Sequence, residues 1–195
     1  MKFLLTGFSG FLGSHLTDRL LAEGHEVIGI DRSIKFGNLK DYKNPKLKMY
    51  HENIFGNIGT LFEGVDVVFH LAALTRPQWS IKHPFETNEV NVNGTIKILE
   101  HCRDAKVKRV VFMSSSNLYG EVNQYPTPED IKPNPMNTYA LSKQIGVSPK
   151  LITNPVKHRE MARNLAIGIH NSILHWSPDV FVLGGKKYQY RYTKG

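Results

Sequence analysis

Gly7-Phe8-Ser9-Gly10-Phe11-Leu12-Gly13 decides how this chain is read, because of what stands on either side of it. Ahead lies Lys2-Phe3-Leu4-Leu5-Thr6, a short apolar run that fits a buried strand. Behind it, Phe11, Leu12, His15, Leu16, Leu20 and Leu21 recur at helical spacing, which predicts a helix over Gly10–Glu23. Gly24 ends that helix as a C-terminal cap, and His25–Ile30 is a β-rich run finishing at Asp31. Strand, glycine turn, helix and strand make a βαβ unit, parallel and right-handed by a strong rule. Three glycines are useful at such a turn. They allow a sharp bend, a close approach of backbone to a pyrophosphate and tight packing of helix on strand. The N–H groups that open the helix then face the phosphates.

Asp31 follows Gly13 by 18 positions and ends the second strand. A carboxylate there accepts hydrogen bonds from a ribose diol and repels a 2′-phosphate, which favours NAD over NADP. Arg32, next to it, is the one feature on the side of NADP.

Further along, Arg32–Pro45 is polar and loop-like, and Leu47–Tyr50 is a short strand. Val65–Leu71 is apolar apart from Asp66 and His70, as suits a strand covered on both faces. A long helix is predicted over Pro84–Ala105, carrying Val90, Ile96, Ile98 and Leu99, and Val107–Met113 is the next strand. Gly120–Pro135 is a loop, after which Asn137 or Thr138 caps a helix carrying Tyr139 to Gly146.

Composition excludes several classes of protein. With 195 residues the chain can bury a core without disulfides or structural metals. Its single cysteine, Cys102, rules out an intrachain disulfide and a multi-cysteine zinc site, and is compatible with a reducing cytoplasm, the expected location. No apolar run is long enough to span a bilayer. The Met1-Lys2-Phe3-Leu4-Leu5 start lacks the cleavage site of a signal peptide, so a buried strand is the expectation. The net charge of +8 is unevenly spread. Residues 1–146 hold 17 basic against 15 acidic side chains, residues 147–195 hold 8 against 2. The basic excess thus belongs to the tail, which has no recognisable nucleic-acid-binding motif, and no nucleic-acid or membrane partner is expected.

Two further segments carry chemistry. In Tyr139-Ala140-Leu141-Ser142-Lys143, tyrosine and lysine four apart share one helix face. A phenol with a reference pKa of about 10 needs a lowering of ~3 units to act as a base near neutrality. A nearby ammonium and an oxidised nicotinamide both supply the positive charge for that. Ser114-Ser115-Ser116-Asn117-Leu118-Tyr119-Gly120 follows the strand ending at Met113, where ligands bind in open α/β sheets. A hydroxyl there can bond a reacting sugar oxygen.

With these segments the chain resembles the extended short-chain dehydrogenase/reductase family, the NAD-dependent sugar-nucleotide epimerases and dehydratases. The resemblance covers residues 1 to about 146. It rests on the glycine turn, Asp31, Asp66-Val67-Val68-Phe69-His70-Leu71-Ala72-Ala73, Asn91-Val92-Asn93-Gly94-Thr95, the serine segment and the Tyr139–Lys143 pair, in the family's order. It implies an α/β fold: a Rossmann-type, three-layer, doubly wound parallel sheet, followed by an atypical C-terminal segment. It also implies that Tyr139 is the catalytic base, with Lys143 as its pKa partner and ribose ligand. Ser115, four residues before the Tyr of the Tyr-Gly pair, is the implied catalytic serine. NAD is the implied cofactor, on Gly7, Gly10, Phe11, Leu12, Gly13, Asp31, Arg32, Asn53, Ile54, Leu71, Ala72, Ala73, Asn91, Ser114, Tyr139 and Lys143. Asn53 falls where many members have an Asp on the adenine, and His70 is expected to be structural. The implied reaction is transient oxidation of a nucleotide-sugar hydroxyl, as in the UDP-glucose 4-epimerases. Ser116-Asn117 stands where the 4,6-dehydratases have an Asp-Glu pair, which disfavours that chemistry. The implied substrate is a UDP-sugar, and homodimerisation is implied through helices that include the one bearing Tyr139.

After Gly146 the resemblance stops. Val147-Ser148-Pro149 interrupts the helix, and residues 147–195 are basic, with His158, His170 and His175 in no metal-ligand spacing. The domain reading is therefore residues 1–146 as an NAD-binding domain and 147–195 as a separate segment. A frameshifted or truncated family member is the expectation, and a natural short protein with an interaction tail the alternative. The second functional hypothesis is a catalytically silent NAD-binding fragment or scaffold.

Overall fold

The computed structural model describes residues 1–128 and 130–146 together with the backbone of two short strands at 181–183 and 186–188. The chain divides into two compact units. One holds residues 1–74 and 89–112, the other 75–88 and 113–195.

The first unit is built on five parallel strands: β1 (Lys2–Thr6), β2 (Glu26–Asp31), β3 (Leu47–His51), β4 (Val67–His70) and β5 (Arg109–Phe112). Their order in the sheet is β3-β2-β1-β4-β5. β1 is the pivot, with Leu4 level with Ile28 on one side and Val68 on the other. From β1 the chain winds outward through β2 and β3, then returns to add β4 and β5 on the opposite edge. Right-handed crossovers in opposite directions put α1 (Phe11–Ala22) and the later helix at Gly94–Asp104 on opposite faces. This is the doubly wound, three-layer arrangement expected from the sequence.

Alternation along the strands supplies both faces of the core. Leu4, Ile28, Ile30, Val68 and Val110 pack with Ile54, Ile58, Phe62 and Val65, and with Ile98 and Cys102 of the later helix. The alternate residues Phe3, Leu5, Phe69 and Val111 are equally buried, as are Leu16 and Leu20 of α1. α1 ends as Gly24 predicts. Gly24 has φ +81°, its N–H bonds the Leu21 carbonyl at 2.9 Å, and the His25 N–H bonds the Leu20 carbonyl at 3.0 Å. That pair of bonds is a Schellman cap.

The long helix expected over Pro84–Ala105 is divided into three. In the second unit it forms α3 (Pro84–Asn88); in the first it forms a π-helical turn at Glu89–Asn93 and α4 (Gly94–Asp104). A π turn admits an extra residue, and here the buried residue of that turn is Asn91. The Thr95 hydroxyl holds the widened turn by donating to the Asn91 carbonyl at 2.7 Å. α4 then starts on Gly94, where a Cβ would overlap the Ile54 side chain.

In the second unit α2 (Pro77–Lys82) and α3 both pack on α5 (Thr138–Gly146). α2 was not expected from sequence, although Pro77 in its first turn is a helix-start signal. A 3₁₀ turn at Ser116–Tyr119 also packs on α5 and ends at Gly120, whose φ is +64° and whose Cβ would run into the Asn134 carbonyl. β6 (Phe181–Leu183) and β7 (Lys186–Tyr188) pair antiparallel. The Val147-Ser148-Pro149 interruption and the tail histidines His158, His170 and His175 lie outside the described residues.

Gly29 of β2 is where the Phe8 ring rests, and a Cβ there would sit 2.7 Å from Phe8 Cδ1. Gly29→Ala is expected to destabilise the fold by roughly 1–3 kcal/mol through overpacking. Urea unfolding should show that cost, and it should largely vanish in a Phe8→Ala background.

Candidate functional site

The glycine turn is built by backbone contact. Gly7 has φ +72°, and a Cβ on it would lie 2.9 Å from the Ala72 nitrogen. A Cβ on Gly13 would overlap the Gly7 carbonyl and stand 2.8 Å from Phe8 Cα. The first turn of α1 therefore lies directly on the end of β1. Gly10 caps α1 without a side-chain hydrogen bond, and no acidic residue sits in the first turn. No carboxylate of the helix's own first turn competes for its opening N–H donors or its positive end. Phe11 and Leu12 point outward, 72% and 44% exposed. This cradle fits the pyrophosphate of a dinucleotide.

Asp31 stands beside the turn. Its Oδ2 accepts the Ser9 N–H at 3.2 Å and the Ser9 hydroxyl at 2.9 Å, and its Oδ1 accepts the Ser33 N–H at 3.2 Å. Arg32 is exposed, and its carbonyl lies 2.8 Å from His51 Nε2. Asn53 is exposed, with Oδ1 accepting the Phe55 N–H at 3.1 Å. The Ile54 side chain belongs to the core, so only its backbone can meet a ligand.

The end of β4 is held by a buried line of polar groups. The Thr95 hydroxyl donates to the Asn91 carbonyl, so the 3.0 Å contact with His70 Nε2 requires a proton on Nε2. His70 Nδ1 is then the acceptor for the Thr6 hydroxyl at 2.7 Å, and Thr6 Oγ1 accepts the Ala72 N–H at 3.2 Å. Every proton in the line is assigned, and the neutral Nε2–H tautomer is the one that satisfies it. His70 thus ties Thr6 to Thr95, and Thr6 in turn holds Ala72 of the half-buried Leu71-Ala72-Ala73 segment beside the glycine turn. Asn91 continues the fastening, its amide accepting the Leu74 N–H at 2.8 Å and donating to the Leu74 carbonyl at 3.0 Å.

In the second unit Asn137 is the cap of α5, its Oδ1 accepting the Ala140 N–H at 2.9 Å. The Tyr139 N–H donates to Ser80 Oγ of α2 at 3.1 Å, a support that nothing in the sequence reading pointed to. Tyr139 and Lys143 are both buried, and Lys143 Nζ lies 6.0 Å from the Tyr139 ring centre and donates to the Met113 carbonyl at 3.0 Å. The Ser115 side chain hydrogen-bonds Tyr139 and accepts the Asn117 N–H at 3.3 Å and the Asn117 amide at 3.2 Å. Ser114 Oγ is buried with no protein partner among the described residues.

Burial dominates the electrostatics of Tyr139 and Lys143. Burial raises the Tyr139 phenol above its ordinary value, and the bond from Ser115 opposes that without overcoming it. Burial acts on the ammonium of Lys143 too and brings it down to about 8. Ser115 and Tyr139 are in hydrogen-bond contact, with the Lys143 ammonium 6.0 Å from the Tyr139 ring centre. No group of three or more His, Cys, Asp or Glu is placed to hold a metal among the described residues. No helix among them is long and apolar enough to cross a membrane.

The fold and these groups define a dinucleotide-binding α/β protein with a Ser-Tyr-Lys set. Residues 3–148 match the model of the NAD dependent epimerase/dehydratase family, and the chain belongs to that family. It is 38% identical over 154 residues to a UDP-glucose 4-epimerase of Mycolicibacterium smegmatis, covering 75% of this chain and 49% of that protein. It is similar to the UDP-N-acetylglucosamine 4-epimerase of Methanobrevibacter ruminantium M1, solved with UDP-N-acetylmuramic acid (TM-score 0.72, 32% identity, covering 75% of this chain and 48% of that one). It is also similar to the UDP-glucose 4-epimerase of Bifidobacterium longum, solved with NAD+ and UDP (TM-score 0.70, 26% identity, 75% and 47%). The chain spans about half the length of these relatives.

A buried lysine at about 8 makes stability depend on pH. Unfolding returns it toward 10.5, so below pH 8 the folded state bears the full cost of the buried charge, of order 3 kcal/mol. That cost fades as pH rises from about 8 to 10.5. Denaturant titrations at several pH values should show wild type gaining stability across this window relative to Lys143→Met.

Proposed function

We propose that this chain binds NAD and takes part in the transient oxidation of a nucleotide sugar, as a UDP-glucose 4-epimerase-like protein. The observation that carries this is the Ser115–Tyr139–Lys143 set in a chain whose glycine turn is closed by Gly7 and Gly13 and flanked by Asp31. In this reading the α1 N-terminus, from Gly10 to Gly13, holds the pyrophosphate, and Gly7 lets the backbone approach. Asp31 takes the adenosine ribose, with Arg32, Asn53 and the Ile54 backbone on the adenine side. Leu71, Ala72, Ala73, Asn91 and Ser114 lie along the remainder of the cofactor. When bound, NAD supplies the hydride acceptor and gives the hydride back.

The protein groups handle the proton. Tyr139 receives the proton of the sugar hydroxyl on its phenolic oxygen. Ser115, whose oxygen already accepts from Asn117, directs its own proton to the sugar oxygen or to Tyr139. Lys143 holds the nicotinamide-side ribose and contributes charge. Ser116 and Asn117 offer no acid for an elimination, which favours epimerisation over dehydration. A cytoplasmic location is part of the same proposal, supported by the free, buried thiol of Cys102.

Tyr139→Phe is expected to lower turnover of UDP-glucose or UDP-galactose by at least about a hundredfold, the usual scale of acid–base catalysis, while NAD binding persists. Absence of turnover by the wild-type chain across a panel of nucleotide sugars, with NAD still bound, would leave it a silent NAD-binding protein.

A homodimer formed through the helices around α5 belongs to this proposal. α2 and α3 pack on α5, and the three leave Ile81, Phe85 and Leu141 in solvent at 66%, 79% and 46% exposure. Light scattering should report a dimer that Phe85→Asp with Leu141→Asp converts to a monomer.

A further inference from the structure

Asp31 has less acceptor capacity to spare than its position suggests. A carboxylate offers about four lone-pair sites, two on each oxygen. Oδ2 receives two donors from one residue, the Ser9 N–H at 3.2 Å and the Ser9 hydroxyl at 2.9 Å. The hydroxyl proton has a second neighbour, the Ser33 carbonyl at 3.1 Å, but the charged oxygen is both nearer and the stronger acceptor. Ser9 Oγ itself accepts the Lys35 N–H at 3.1 Å, which turns its proton toward the carboxylate. Oδ1 receives one donor, the Ser33 N–H at 3.2 Å. One acceptor site is left, on Oδ1. Ser9 is 0% exposed, and its carbonyl accepts the Asn38 amide at 2.8 Å, so the clamp is fixed at both ends.

We infer that Ser9 is a positioning residue that closes Oδ2 of Asp31, so that Asp31 receives one hydroxyl of the adenosine ribose and not both. This rests on the NAD reading above. The second ribose hydroxyl then binds independently of Asp31. Rejection of a 2′-phosphate comes from the negative charge of Asp31, with no need for the carboxylate to grip the whole diol.

The test is calorimetric titration of the full chain with NAD and with its analogues lacking the adenosine 2′- or 3′-hydroxyl. It is run on wild type, Asp31→Ala and Ser9→Ala, with thermal melts to establish folding. One deoxy analogue should bind wild type about tenfold more weakly than NAD, as for a hydrogen bond to a charged group, and that gap should close in Asp31→Ala. The effect of deleting the other hydroxyl should be the same in both proteins. In Ser9→Ala, with Oδ2 open, the second hydroxyl should acquire a dependence on Asp31. If both deletions lose their effect in Asp31→Ala, or neither does, the inference is overturned. If Ser9→Ala does not fold, the comparison of wild type with Asp31→Ala decides alone. Failure of folded wild type to bind NAD at all would instead overturn the NAD reading, and this inference with it.

Discussion

The contact between the start of α1 and the end of β1 is the constraint on which the first unit depends. Gly13 sits so close to the Gly7 carbonyl and to Phe8 that neither glycine tolerates a side chain. The same closeness puts the helix N-terminus at the switch point of the sheet, between β1 and β4, where strand order reverses and the crevice of an open α/β sheet lies. Phe8, turned inward by this bend, needs the bare backbone of Gly29 on the next strand. A requirement for backbone proximity thus propagates from the turn into β2, and at Gly7 across to Ala72 beyond β4. Larger residues at these places would disturb packing before they disturbed any ligand.

Tight backbone approach leaves polar groups that must find partners inside. Thr6, His70, Thr95 and Asn91 are all nearly sealed from solvent, and each lost partner would cost about 1–3 kcal/mol. The line they form has a direction, from the Ala72 N–H to the Asn91 carbonyl, with a neutral imidazole in the middle. The π turn belongs to this solution. By widening the helix at Glu89–Asn93 it brings Asn91 to the backbone of Leu74 and leaves a carbonyl for Thr95.

This explains which features were legible in the sequence. β1, the glycine turn, α1, its Gly24 cap and β2 follow from periodicity and from residues with a local backbone role, and they appear within a residue or two of where sequence places them. The π turn could not be read that way, since the residue it buries, Asn91, has its partner at Leu74, seventeen positions away. Short α2 has too few residues for a periodic signal and is marked only by Pro77. The Ser9–Asp31 bond spans twenty-two positions, and Ser80 under the Tyr139 N–H spans fifty-nine. Residue identity pointed to Tyr139, Lys143 and Ser115, but long-range packing decides what supports them.

Packing also governs the chemistry in a way that spacing alone could not show. Tyrosine and lysine one helical turn apart suggest an ammonium lowering a phenol. Within the second unit both side chains are buried, and burial penalises each charged form separately: the phenolate of Tyr139 and the ammonium of Lys143. Near pH 8 Lys143 is itself close to half-protonated, so any charge it presents to its neighbour depends on pH. The Ser115 bond acts in the lowering direction and is smaller than the effect of burial. If Tyr139 serves as a base, positive charge on a bound ligand would act in the lowering direction, against burial. An oxidised nicotinamide carries such charge and its reduced form does not, so the tyrosine would be a better base when hydride can be accepted and a better acid once it has been. On the proposed reading, the burial that raises the Tyr139 phenol would make its proton affinity respond to the charge of the bound cofactor.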